Sequence, residues 1–309
     1  MADIAIVSTW NTPCGIAEYA AYWVEAVKAA DPTLKIEVVS DLHPNAIFNR
    51  PTLPDVIFLN FQAALLSQWH AEHIKEAQRR GARVLTTYHD SGVPNSDQCK
   101  AICGASDYFV IHEPFDDLPA HGEFMRQGIP AGAWSGVHRR PYPVVGTVGF
   151  PSGYKNFDLL CEASALAGWG CHLLAPNATD EQCERWGVLN SNVEIQRGFT
   201  PRADVVSILS TCDATAFLYV CNANGTSGAI RQGIAARRPV VAIRGRQFRD
   251  LEDEQAIHWI VDGSPSSVAR TLTQLPSVLF DHGIVLLAEM DSWSNKGRRY
   301  AEIIRRLLA

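Results

Sequence analysis

Short runs rich in β-branched and aromatic residues alternate along this chain with segments long enough to be helices. Such alternation is typical of βαβ units, whose right-handed crossovers place the strands side by side in a parallel sheet. Five runs precede the Pro-rich stretch RRPYPVVG, and the others follow it. They lie at 3–9, 35–40, 55–61, 83–89 and 107–112, then at 143–150, 171–176, 192–196, 214–219, 239–243 and 257–262. The pattern predicts an α/β fold with two Rossmann-like domains in tandem.

The length of 309 residues is enough for two such domains, since one domain typically has about 100–150 residues. The Pro-rich stretch predicts the boundary, with a first domain over 1–140 and a second over 143–291. In the first domain, amphipathic segments at 16–30 and 65–80 predict helices. The closing sequence SWSNKGRRYAEIIRRLL, residues 292–308, is also amphipathic and predicts another helix, whose last turn is cationic.

The composition limits the classes of function. Hydrophobic residues make up 47% of the chain and charged residues 19%, which is typical of a globular protein. The net charge of −6 argues against a protein whose main partner is the nucleic acid backbone, because such domains carry a basic surplus. No apolar run reaches the roughly 18 residues of a membrane span, and the start lacks the basic residues of a signal peptide. We expect a cytoplasmic protein without a transmembrane segment, either free or peripheral to a membrane.

Eight cysteines are scattered through the sequence without any C-x2-C pair. Cys99 and Cys103 are four positions apart, but no second pair or nearby histidine cluster completes a zinc set. We therefore expect reduced, mostly structural thiols and no bound metal ion.

The carboxyl ends of the first-domain strands carry three candidate ligand contacts. In open parallel sheets ligands bind beyond these ends, and two sheets in series predict a cleft between them. In STWNTPCGIAEYA, Gly15 stands at a helix start, where backbone N–H groups bind phosphate or a sugar hydroxyl. His89 ends the fourth run in TTYHDSG, and His112 ends the fifth. An ordinary βα turn and two structural histidines are the alternatives, and the absence of G-x-G-x-x-G argues against a dinucleotide site.

Two segments of the second domain predict an anion site. In VGFPSGYKNFDLL, Lys155 stands in a loop before a helix, where its ammonium can neutralise a phosphate. In NANGTSGAIRQGIAARRPVV, a turn follows the strand at 214–219 and opens a helix predicted over 229–236. The residues of this turn are Gly225, Thr226, Ser227 and Gly228. Its successive N–H groups and two hydroxyls form a nest for a diphosphate, and Gln232 can reach toward a ribose. A solvated lysine and a turn chosen for sharpness are the alternatives.

The tandem halves, the glycine loop after the first strand, GYKNFDLLCEA and NGTSGAIRQGIAARRPVV together resemble the GT-B glycosyltransferases, most of all the retaining glycosyltransferases of family four. The resemblance covers the whole chain. It implies that the segment 292–309 is the helix with which this fold returns to its first domain. It also implies that Gly15 approaches the donor phosphate, that His89 contacts the donor sugar and that Lys155 stabilises the leaving diphosphate. The turn Gly225–Gly228 would bind phosphate and sugar through its backbone.

The sequence departs from the family at three positions. The two glutamates that the family places eight positions apart fall on Asn224 and Gln232. Gln232 can still bond ribose hydroxyls, whereas Asn224 lacks the carboxylate that contacts the donor sugar. The Arg that usually precedes the Lys is absent, and Arg231 and Arg244 are candidates to compensate for it.

The resemblance implies transfer of a sugar from a nucleoside-diphosphate sugar, with UDP favoured, to a hydroxyl of a glycan, lipid-linked or small-molecule acceptor. It further implies retention and no metal ion or other cofactor. No carboxylate pair typical of a glycoside hydrolase stands out. Two alternatives remain: a weak or inactive sugar-nucleotide-binding protein, or a GT-B enzyme with a nucleic acid acceptor that glucosylates modified DNA.

Overall fold

The computed structural model of the chain describes residues 2–89, 97–113, 120–132, 140–220, 226–276 and 281–309. In these ranges the strands are β1 (Asp3–Val7), β2 (Lys35–Val39), β3 (Val56–Phe61), β4 (Arg83–Tyr88), β5 (Tyr108–Ile111), β6 (Gly122–Phe124), β7 (Val144–Val148), β8 (Gly170–Leu174), β9 (Val193–Gln196), β10 (Ala214–Phe217), β11 (Val240–Ile243) and β12 (Ile257–Ile260). The helices are α1 (Gly15–Ala30), α2 (Asn45–Phe48), α3 (Ala71–Arg79), α4 (Asp97–Ala105), α5 (Phe157–Ala167), α6 (Asp180–Leu189), α7 (Arg202–Ser210), α8 (Gly228–Ala235), α9 (Pro265–Gln274), α10 (His282–Met290) and α11 (Trp293–Leu308). Every predicted apolar run forms a strand, and only the short β6 was not predicted. None of these helices has the length and apolar character needed to cross a bilayer.

The strands form two parallel sheets with the same winding. The orders are β2-β1-β3-β4-β5-β6 and β12-β11-β10-β7-β8-β9. In each sheet the chain winds first to one side of its starting strand and then to the other. The direction reverses between β1 and β3 in the first sheet and between β7 and β10 in the second. Ligands of open α/β sheets bind at the carboxyl ends of the strands at such switch points.

The chain divides into two compact units. The first unit consists of the described residues of 2–128 and 292–309 together with Thr226, and the second consists of those of 129–220 and 227–291. Ile129 is already buried in the core of the second unit, and its N–H donates to the carbonyl of Asp291. The division therefore falls before Ile129 and not at 140–143, because the Pro-rich stretch is the approach to β7 within the second unit.

Both faces of the first sheet are covered, which explains why its strands have nearly continuous apolar sequences. Successive side chains of a strand point to opposite faces. Ile4 and Ile6 accordingly pack with residues of α1 and α11, whereas Ala5 and Val7 pack with residues of α3 and α4. The strand β3 is buried along its whole length. The backbone ends of the strands are thus the part of the sheet that remains available to a ligand.

The helix predicted over 65–80 begins only at Ala71. The preceding residues form turns that bury Leu66 and Trp69 in the core. His70 then occupies the position before the helix with extended backbone angles, and its backbone N–H donates to Nδ1 of His73 at 3.1 Å. The prediction of the start was wrong because the apolar spacing of these turns resembles that of a helix.

The C-terminal helix α11 packs against α1 in the first unit, as predicted. Gly297 allows the close approach, because a Cβ at this position would lie 2.5 Å from backbone atoms of Ala26. Arg305 donates to the buried carboxylate of Asp31 across the same contact at 2.9 Å. The end of the chain is therefore part of the first unit's core.

We expect Gly297→Val to destabilise the protein by roughly 1–3 kcal/mol, because α11 must move away from α1 to admit the side chain. Denaturant unfolding measures the change. The matched control is Gly187→Ala in α6, where an added Cβ would meet nothing within 4 Å. This control should leave stability unchanged or raise it by up to about 1 kcal/mol. Equal stability of Gly297→Val and wild type would contradict the close packing of the two helices.

Candidate active site

Polar side chains follow neighbouring strands of the first sheet at their carboxyl ends. Ser8 follows β1, Asn60 lies near the end of β3, His89 follows β4 and His112 follows β5. Because these strands are adjacent in the sheet, the side chains lie side by side at its switch point. The ring centroids of His89 and His112 are 5.2 Å apart.

The imidazole of His89 is enclosed by other side chains. The ring of Tyr19 meets it edge-on with centroids 4.4 Å apart, and Nε2 lies 2.5 Å from Oδ1 of Asn60. Burial lowers the pKa of His89 well below its usual value, and the nearby His112 lowers it further. His89 is therefore a neutral hydrogen-bonding group at physiological pH. His112 differs, because its Nδ1 lies 2.7 Å from the carbonyl oxygen of Met125 and so ties two strand ends together.

The start of α1 lies next to this cluster. The helix begins at Gly15, and the preceding residue, Cys14, makes no side-chain cap. Gly15 is exposed, and a Cβ added there would meet no atom within 4 Å. Internal packing therefore does not require glycine at this position. The approach of a ligand to the helix start is the explanation to test.

The side chain of Lys155 lies between two tyrosine rings and Gly149 at the switch point of the second sheet. It ends a short 3-10 helix, Gly153–Lys155, in the loop after β7. Its ammonium lies 5.9 Å from the ring centroid of Tyr154 and 5.8 Å from that of Tyr219. The side chain crosses Gly149, where φ is +142° and an added Cβ would lie 2.1 Å from Nζ. Glycine is required there both by the backbone angle and by the lysine.

The start of α8 lies at the same switch point. The helix begins at Gly228, one residue earlier than predicted, and Ser227 precedes it without capping it. The Ser227 hydroxyl instead lies 3.1 Å from the hydroxyl of Tyr219, the residue that Lys155 also approaches. The first-turn N–H groups of a helix have no partner within the helix. An ammonium group and a helix start therefore meet around one buried tyrosine.

The other residues predicted to bind the donor are Thr226, Asn224, Gly225 and Gln232. Thr226 is half-buried and directly precedes Ser227. Asn224 and Gly225 lie outside the described residues. Gln232 is only 6% exposed, and its side-chain amide has no hydrogen-bond partner in the described part of the chain. An amide in that state can bind a polar ligand group.

The two arginines that are candidates to replace the family's Arg lie in different environments. Arg231 is buried and forms an ion pair through one guanidinium nitrogen with the equally buried Asp250. Arg244 follows β11, is exposed, and stacks over Trp259 at 5.3 Å. Arg244 is therefore the exposed one of the two candidates, and Arg231 the buried one.

Sequence reasoning missed four residues of these two sites. They are Tyr19, Asn60, Gly149 and Tyr219. A signal existed for Asn60, which is the one polar residue in the run VIFLNF, and for Gly149, which directly follows a strand. The two tyrosines gave no signal, because their rings fit the apolar pattern and only the folded chain shows where their hydroxyls lie.

The described cysteines are free thiols, most of them buried. In the ranges that the structure describes, no three His, Cys, Asp or Glu side chains are grouped so that they could hold a metal ion.

No protein-family model and no curated protein matches the sequence. The fold, however, is similar to solved structures. HepE from Anabaena, solved with UDP and glucose, has a TM-score of 0.70 at 12% identity, covering 99% of this chain and 100% of its own. AviGT4, a glycosyltransferase involved in avilamycin A biosynthesis, has a TM-score of 0.65 at 17% sequence identity. The match covers 100% of this chain and 98% of AviGT4. A UDP-forming α,α-trehalose-phosphate synthase from Burkholderia xenovorans has a TM-score of 0.60 at 11% sequence identity. The match covers 95% of this chain and 80% of the synthase. The predicted GT-B fold, with two parallel sheets and a returning C-terminal helix, is confirmed.

The neutral state of His89 predicts a pH dependence of stability. The folded pKa is depressed, so between that value and the unfolded value of about 6.5 the unfolded chain binds more protons. Stability should therefore fall as the pH drops below about 6.5, by up to about 1.4 kcal/mol per pH unit. Denaturant unfolding at about pH 7.5 and about pH 5.5 measures this loss.

His89→Gln removes the titrating group and should show a smaller loss. The matched control His282→Gln, an exposed position on α10, should behave as wild type does. The same pH dependence in wild type and His89→Gln would show that this histidine is not held neutral by folding.

Proposed function

We propose that this protein is a glycosyltransferase that moves a sugar from a UDP-sugar to a hydroxyl acceptor. The observation that carries the proposal is the meeting of Lys155 and the start of α8 around Tyr219, at the switch point of the second sheet. A helix start offers N–H groups and a positive dipole end to an anion, and a lysine adds a full charge. A diphosphate is the ligand that uses both.

The nucleotide of the proposal is UDP. HepE was solved with UDP and glucose, and the synthase from Burkholderia xenovorans is UDP-forming. Gln232, buried in α8 without a partner among the described residues, is the group that we propose for the ribose hydroxyls. The acceptor that we propose is a hydroxyl of a glycan, a lipid-linked sugar or a small molecule.

We propose that the transfer proceeds with retention and without a protein nucleophile. The bond between the anomeric carbon and the diphosphate oxygen breaks, and the acceptor oxygen bonds to the same face of the sugar. The acceptor proton passes to the leaving diphosphate. Lys155 and the α8 N–H groups stabilise the negative charge that develops on that diphosphate. These protein groups supply the positive charge, so the proposal includes no metal ion.

The first unit contributes two groups to the proposal. His89 is neutral and can form a hydrogen bond with a sugar hydroxyl without bringing a charge near the anomeric carbon. Gly15 leaves the start of α1 open for a phosphate or a hydroxyl, because no neighbouring atom fills the space beside it.

A thermal-shift comparison of UDP, GDP and ADP with their sugars tests the proposal first. A ligand that binds the folded state raises the melting temperature. We expect UDP and a UDP-sugar to give the largest rise, and that UDP-sugar then serves as donor in transfer assays. No rise with any of these nucleotides would overturn the proposed function.

Lys155→Ala should raise the Kd for UDP by about ten- to a hundredfold, since a charged hydrogen bond is lost. Gly149→Ala should have a similar effect with Lys155 still present, because the new methyl group displaces the ammonium. Calorimetry measures both. The matched control is Lys75→Ala on the exposed surface of α3, which should leave the Kd unchanged. Unaltered UDP affinity in both site variants would exclude Lys155 as a diphosphate ligand.

His89→Ala should lower kcat by roughly ten- to a thousandfold, about 1.4–4 kcal/mol, while the Kd for UDP changes little. The reason is that a bond to the sugar strengthens in the transition state and does not involve the nucleotide. His112→Ala should lower kcat less, because its Nδ1 is engaged by the Met125 carbonyl. Full activity of His89→Ala would assign this histidine to the fold alone.

A further inference from the structure

We infer that Asn60 is a positioning residue that fixes His89 in the tautomer with its proton on Nε2, so that Nδ1 is left to accept a hydrogen bond from a substrate hydroxyl. The role in substrate recognition rests on the proposed function, whereas the tautomer does not.

The amide of Asn60 has only one possible orientation. Its Nδ2 lies 3.0 Å from the carbonyl oxygen of Ile16 in the first turn of α1. A carbonyl oxygen only accepts, so the nitrogen of the amide must face it. The same Nδ2 donates to the Ser8 hydroxyl at 2.8 Å. With both donor protons used there, Oδ1 is the atom that faces His89.

The orientation of Asn60 in turn fixes the proton of His89. The imidazole Nε2 lies against Oδ1 of Asn60, and an amide oxygen has no proton to donate. Nε2 must therefore be the donor. Burial and the neighbouring His112 keep the pKa of His89 well below its usual value, so the ring is neutral and carries a single N–H. Nδ1 then carries a lone pair, and it has no hydrogen-bond partner among the described residues.

This arrangement sets a requirement on the substrate. A neutral imidazole with a free choice of tautomer could donate to or accept from a ligand, but here it can only accept. The ligand group at Nδ1 must therefore be a donor such as a hydroxyl. A substrate with hydrogen or an ether at that position would leave Nδ1 unpaired, which lowers the rate of transfer.

The groups around His89 contain no carboxylate in the described part of the chain that could hold it protonated. Tyr19 of α1 faces it through its ring, and the Tyr19 hydroxyl is 2.7 Å from that of Tyr300 in α11. His112 after β5 faces it from the other side. Burial raises the pKa of both tyrosines, so they stay neutral. A carboxylate placed at position 60 would therefore be the first negative charge against His89 on these elements.

The test combines imidazole nitrogen NMR with the pH profile of transfer. In wild type we expect the 15N signals of His89 to show a protonated Nε2 and an unprotonated Nδ1 down to a pH below about 6.5. In Asn60→Asp the carboxylate favours the imidazolium, so His89 should titrate at least about one pH unit higher. The acid limb of the kcat profile should move up by the same amount, while the Kd for UDP stays near the wild-type value.

Ser8→Ala is the matched control. It removes one partner of the Asn60 amide but leaves the Ile16 carbonyl, so the amide should keep its orientation and His89 its tautomer. A wild-type spectrum with the proton on Nδ1, or with both tautomers populated, overturns the inference even if Asn60→Asp does not fold. A His89 of Asn60→Asp that titrates higher without any movement of the kcat profile overturns the substrate role. Failure of the proposed function shows separately, as absent UDP binding in wild type.

Discussion

Parallel strand pairing with both faces of the sheet covered is the constraint on which the rest of the structure depends. A parallel sheet needs a crossover after each strand, and the crossover helices bury its two faces. Polar chemistry is thereby confined to the ends of the strands. In both units the reversal of winding opens one place at the carboxyl ends, between β1 and β3 and between β7 and β10, and the candidate residues gather there.

The two switch points are built for different tasks. At the second, a positive charge and a helix start converge on Tyr219, which suits an anion. At the first, the groups are buried and neutral, and His89 is held by an amide rather than by a carboxylate. The second switch point thus presents positive charge, and the first presents neutral hydrogen-bonding groups. A buried imidazole can remain uncharged there because, among the described residues, Tyr19 is neutral and His112 disfavours its protonation.

The similarity to solved glycosyltransferases establishes the fold, and a fold alone does not establish an activity. The proposed function rests instead on the arrangement of Lys155 and the start of α8 around Tyr219. The absence of an Arg beside Lys155 reduces the positive charge in that loop, and Arg231 is paired with Asp250 in the core. In the proposed function, the positive charge for the diphosphate comes from Lys155 and the start of α8, and Arg244 at the end of β11 is an exposed further candidate. This dependence on few groups makes the loop after β7 the most informative place to test.

The sequence by itself determined the strands, the two-sheet fold, the returning helix and the positions of Lys155 and His89 at strand ends. These follow from periodicity and from the order of elements, which are local properties of the chain. It placed the start of α3 too early and the boundary between the units too late, because turns that bury Leu66 and Trp69 imitate a helix and prolines do not by themselves separate units. The tertiary structure alone decided which groups face one another. Asn60 meets His89, and Tyr219 meets Lys155, only because the strand order brings together residues that are distant in the chain.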